Sequence, residues 1–103
     1  MVADAADQDE WDIALIGAEP ARAERIAFSA AYTEIEATYL VPAGSPIQDI
    51  SEVDREGVRI AVSERSAYDL YLTRNIKHAE LKRAPGLVAS YDLFVAEGLD
   101  VLA

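Results

Sequence analysis

Apolar and polar positions follow a regular rhythm in the second half of the chain and a looser one in the first. Gly57 to Val62 (GVRIAV) is a compact apolar run that predicts a strand. Ser66 stands where an N-cap is needed, its hydroxyl placed to accept from the first free backbone N–H groups, and Ala67 to Ile76 then reads as a helix with a wide apolar stripe. Glu80 to Arg83 predicts a short strand, and Pro85–Gly86 a turn. Leu87, Val88, Tyr91, Phe94 and Val95 recur at i, i+1, i+4, i+7 and i+8, an amphipathic-helix pattern. Gly98 closes that helix in the role glycine commonly takes, and Leu99 to Leu102 begins another strand. The order β-α-β-α-β predicts an α/β fold, a mostly parallel sheet with helical crossovers.

The first half gives fewer signals. Val2 to Gln8, rich in alanine and aspartate, suits a short helix or a frayed leader. Trp11 to Ile16 (WDIALI) has the length of a buried strand, and Gly17 breaks it. Pro20 suits a first helical turn, so Pro20 to Glu24 reads as one, with Phe28 to Tyr32 as loop or short strand. Glu34 to Pro42 (EIEATYLVP) gives the clearest strand pattern: Ile35, Ala37, Tyr39 and Val41 alternate with Glu34, Glu36, Thr38 and Leu40. Pro42, Gly44 and Pro46 follow as a turn-rich connection between two parts. There is no internal repeat and no low-complexity tract.

Composition narrows the function classes. At 103 residues the chain suits one small domain, and 51% apolar with 27% charged residues argues against disorder. A net charge of −10 argues against nucleic-acid binding, which needs a basic patch to replace counterions. No apolar run approaches the ~20 residues that span a bilayer. Met1 to Glu10 carries four acids and no base, unlike a secretory signal, so a complete chain of this kind is expected in the cytoplasm. The absence of cysteine excludes disulfides, thiolate metal sites and a cysteine nucleophile. The charge is uneven: residues 1–54 hold 12 acids against Arg22 and Arg25, whereas residues 55–103 hold seven of each sign. That asymmetry fits two parts in different surroundings, or simply a solvated acidic surface.

Three local patterns together resemble the periplasmic solute-binding proteins of ABC importers, in the amino-acid-type family 3 with the type II binding-protein fold. WDIALIG followed by PARAERIAFSAAY is similar to the segment in which an aspartate-bearing strand leads to an arginine and, six residues on, a Phe-Ser pair and a tyrosine. YLVPAGSPIQDISEVDREGVRIAV is similar to the stretch that crosses into the second lobe. The Ser66 helix, and the late helix running into AEGLDVLA, resemble the helix-Gly-Asp strand ending of that family. Such proteins have two lobes and are roughly twice this length. The resemblance therefore implies a truncated chain: residues 1–42 a remnant of lobe one ending in the crossing strand, residues 43–103 a partial lobe two. Completion of the sheet by dimerisation is expected, because a half-fold leaves strand edges and apolar faces uncovered.

The same resemblance implies site residues. Arg22 matches the arginine that grips a ligand carboxylate, for which a guanidinium offers two parallel donors; as a plain surface residue it would pair with Glu19 or Glu24. Gly17 and Ala18 occupy the preceding loop, where hydroxyl residues usually assist, and only their backbone N–H groups remain to donate. Ser66 opens the lobe-two helix near the expected carboxylate, with a plain N-cap as the alternative. Arg65 stands where a glycine often does, and either closes the pocket or adds a second cation. Trp11, Tyr32 and Tyr68 are pocket walls or core, and His78 reads as a solvated residue. No catalytic constellation, EF-hand spacing or phosphate loop is present, so no metal, no cofactor and no enzyme activity are expected. The implied function is periplasmic solute binding without chemistry, by cleft closure on a small carboxylate-bearing solute for delivery to importer membrane subunits. The alternative is an intertwined homodimeric interaction protein that has lost the cleft.

Overall fold

The structure, a computed structural model, describes residues 2–103. Two compact units divide the chain, Met1–Ile35 and Glu36–Ala103. The first unit holds a 3-10 turn at Asp4–Asp7 and one short helix, α1 (Pro20–Ala23), with proline at its start where the missing N–H costs nothing. Trp11 to Ile16 does not form the expected strand. Among the described residues no strand pairs with it, and Ile13 and Leu15 are 91% and 83% exposed. An apolar run lowers its free energy as a strand only when its backbone groups and side chains find partners, and here none is supplied.

The second unit is an α/β layer with one helix on either face of a three-stranded parallel sheet. Its elements are β1 (Arg59–Ser63), α2 (Ala67–Asn75), β2 (Glu80–Ala84), α3 (Leu87–Ala96) and β3 (Val101–Leu102). The strand order is β2-β1-β3, with Ile60 opposite Leu81 on one side and Val101 on the other. The first crossover therefore runs from β1 to β2 and the second back from β2 past β1 to β3, in opposite directions. Right-handed connections then put α2 and α3 on opposite faces. Packing agrees: Ile60 and Val62 meet Leu72 of α2, whereas Ala61, pointing the other way, meets Phe94 of α3 and Leu99.

Helix boundaries follow the sequence signals. Ser66 caps α2, accepting from the Asp69 N–H at 3.2 Å. Gly98, at φ +58°, ends α3: its N–H reaches the Val95 carbonyl at 3.3 Å and the Leu99 N–H the Phe94 carbonyl at 3.0 Å. Those two bonds form a Schellman closure, which needs a left-handed residue. Helix α3 is rotated from the expected stripe, however. Ser90 and Phe94 are buried, while Leu87, Val88, Tyr91 and Val95 face outward.

Glu34 to Pro42 is also not a regular strand. Only Leu40 pairs, in a lone antiparallel bridge to Leu102 with both bonds at 2.9 Å. Tyr39 and Val41 still pack against the core as the alternation suggests, but Ile35 is exposed. β3 is two residues long, too short to hold more of the segment.

Candidate functional site

In an open parallel sheet, neighbouring strands whose crossovers leave toward opposite faces open a crevice at their carboxyl ends, where helix N-termini also gather. Here those strands are β1 and β2. Their following loops are pinned together, with the Glu64 N–H donating to the Ala84 carbonyl at 2.8 Å and the Gly86 N–H to the same oxygen at 2.9 Å.

The β1–α2 turn carries the most ordered side-chain chemistry of the unit. The Ser66 hydroxyl donates to the Ser63 carbonyl at 2.6 Å while accepting from the Asp69 N–H. The buried Asp69 carboxylate answers in the other direction: Oδ2 accepts from the Arg65 N–H at 2.8 Å, and Oδ1 accepts from Thr73 Oγ1 at 3.0 Å and Arg83 Nε at 2.9 Å. Arg83 also donates from Nη2 to Thr73 Oγ1 at 2.8 Å. Ser66-x-x-Asp69 thus works as a capping box whose acid reaches one residue farther out than usual. A buried carboxylate is tolerated only when so fully bonded.

Arg65 sits at φ +62°, in the left-handed region that costs an L-residue roughly 1–2 kcal/mol. Its bond to Asp69 holds it there. Backbone geometry explains why a glycine would suit this position.

Beside the carboxyl end of β3 lies an open groove of about 440 Å3, lined by Tyr39, Leu40, Tyr68, Leu87, Ser90 and Ala103 among others. That volume falls within the span of small-ligand sites, and the lining is mostly apolar, with hydroxyl groups and one carboxylate, that of Glu36, interspersed. Burial, with smaller contributions from Tyr71 and Asp54, pushes the Tyr39 phenol above its ordinary range, so it stays a neutral donor. Ser90 is buried and donates to the Leu87 carbonyl at 2.8 Å. The N-cap of α3 is Gly86, which brings no side-chain acceptor to the first N–H groups of that helix.

The residues expected from sequence fall in both units. Arg22 and Gly17 are brought together in the first, the guanidinium Nη1 donating to the Gly17 carbonyl at 2.9 Å, with Ala18 next to them and exposed. Arg65 and Ser66 belong to the second, at the β1–α2 turn. Trp11 donates from Nε1 to the Val2 carbonyl at 3.2 Å, Tyr32 is exposed, and Tyr68 lines the groove. His78 is exposed. Sequence reading missed Asp69, although the Ser-x-x-Asp spacing signals it. It also missed Asp54, whose carboxylate accepts from three successive backbone N–H groups, those of Lys77, His78 and Ala79, at 2.8 to 3.2 Å. The Ala79 N–H, then that of His78, hold the Asp54 carboxyl below the usual range.

Among the described residues no cluster of three or more His, Cys, Asp or Glu side chains is placed to hold a metal ion, and no helix is long and apolar enough to cross a membrane. Comparison with known proteins finds no matching family model, no matching curated protein and no matching solved structure.

Proposed function

We propose that the chain is a binding module that holds a small carboxylate-bearing solute without chemistry, as a solute-binding component of an ABC importer or a shortened relative of one. The observation that carries the reading is the place of the Arg65–Ser66 turn. It lies at the carboxyl end of the central strand, at the crevice where α/β sheets take ligands; the groove of ligand size is lined by Tyr68 two residues on, and not by Arg65 or Ser66. Arg65 places a cation beside the N-terminus of α2, while its own N–H and that of Ser66 are taken by Asp69 and the Ser63 carbonyl. Membership of an importer, and with it a periplasmic setting and a membrane-subunit partner, is supported by the motif resemblance alone. Arg22, with Gly17 and Ala18, is the corresponding candidate in the first unit.

A thermal-shift screen of amino acids and small organic acids tests this. A solute at 100 times its dissociation constant stabilises by about 2.7 kcal/mol, and Ser66→Ala and Arg22→Ala, scored separately, are each expected to reduce the shift. The absence of a shift with any compound refutes the reading.

The exposed Ile13 and Leu15 favour a second reading, the intertwined homodimer, because an unpaired apolar run is a ready element for exchange between copies. Light scattering separates the two: a folded monomer removes the dimer.

A further inference from the structure

Two parts of the molecule each offer what the other lacks. One is the outer edge of β2. In the order β2-β1-β3 that strand has a single neighbour, whereas the far edge of the sheet already carries the Leu40 bridge. The Glu80 N–H donates to the Val58 carbonyl and the Glu64 N–H to the Ala84 carbonyl, both at 2.8 Å, so Glu80, Lys82 and Ala84 aim their backbone groups at β1. Strand alternation then aims the N–H and C=O of Leu81 and Arg83 outward, and among the described residues no strand meets them. The other part is residues 11–16, where Ile13 and Leu15 are 91% and 83% exposed.

We propose that residues 11–16 of a second copy add to the β2 edge as an antiparallel strand, with the exchange reciprocal between the two copies. This rests on the homodimer reading and names the surface that receives the run. Outward backbone donors and acceptors on a sheet edge are matched by another strand, unlike an apolar face, which many shapes can cover. Side chains fix the register. Placing Ile13 opposite Arg83 and Leu15 opposite Leu81 pairs all four outward groups. It also puts both apolar side chains on the α2 face, where Leu81 packs against the cluster of Ile60, Val62 and Leu72. Asp12 then falls opposite Ala84 and diagonal to Lys82. The parallel sense puts Asp12 beside Glu80, like charge against like, and is disfavoured. Lys82 guards the edge against its own kind: two β2 edges paired antiparallel through Leu81 and Arg83 bring Lys82 against Lys82. Of the two unpaired elements, the acid-bearing run is therefore the one a second copy supplies.

The full chain carries no cysteine, so single-cysteine variants report one contact each. Ile16→Cys mixed with Glu80→Cys and oxidised is expected to yield a heterodisulfide, because those positions form a close, non-hydrogen-bonded pair in this register. Asp12→Cys mixed with Glu80→Cys is expected to yield none above background, since about 13 Å of strand separates the two. Equal yields from the two mixtures, or the reverse preference, overturn the proposal. Light scattering is expected to give a dimer for the parent and a monomer for Leu15→Pro, which lacks one of the exchanged donors. Circular dichroism checks that this variant is folded, and Ile13→Pro serves if it is not, with the same dissociation expected. A parent dimer that survives the proline overturns the proposal and leaves the homodimer reading standing. A parent monomer removes both.

Discussion

Trp11 to Ile16 and Gly57 to Val62 are apolar runs of the same length, yet one lies open to solvent and the other supplies most of the central strand. Ile60, Ala61 and Val62 have a parallel neighbour on each side and a helix on each face. Among the described residues the earlier run has neither. Ten of the first 35 residues are alanine, which offers little area to bury, and among the described residues of that unit only Glu19 is buried. Apolar composition does not by itself make a core; neighbours that converge from distant parts of the chain do.

Paired truncations test that contrast most strongly. Ile60→Ala is expected to cost about 2–5 kcal/mol, as removal of a fully buried branched side chain does, while Leu15→Ala stays within about 0.5 kcal/mol. Urea unfolding followed by circular dichroism measures both, and equal losses would show that the first unit has a core of its own. A smaller effect is expected at the strained turn. Arg65→Gly relieves a left-handed backbone but loosens the unfolded chain, leaving a net gain of about 0.5 kcal/mol. A loss instead would mean that the arginine side chain stabilises the turn. The smallest effect concerns pH. Asp54 has its carboxyl pKa lowered by folding, so its contribution is present above the unfolded value of 3.8 and fades as pH falls through the folded one. Asp54→Asn should flatten the acid side of the stability–pH profile; an unchanged profile would locate the acid sensitivity elsewhere.

Legibility in the sequence followed the range of the interactions involved. Strands β1 and β2 and helices α2 and α3 were marked by local periodicity, Ser66, Pro85–Gly86 and Gly98, all of which act within a turn or two of themselves. The strands expected at Trp11–Ile16 and Glu34–Pro42 depend on partners that no local pattern reveals. Helix α3 had the right period but the wrong face, because the core side meets Ala61 and Leu99 and is filled by Phe94 and the small Ser90. Ser66 was readable as a helix cap from its own chemistry, whereas Arg65 entered only through the family resemblance. Asp54 was not readable, since its three donors lie 23 to 25 residues away.

The pairing of β1 with β3 bears on how the sheet is assembled in time. The β1–β2 ladder closes over a single short crossover, whereas the Arg59 N–H meets the Asp100 carboxylate across 41 residues. Leu40 reaches Leu102 across a longer span still. Closing longer loops costs more chain entropy before any contact is gained, so β1-α2-β2 is the piece expected to form first. Until β3 arrives, the central strand has one edge open. That interval, more than the finished fold, is when the molecule is most exposed to pairing with the wrong chain.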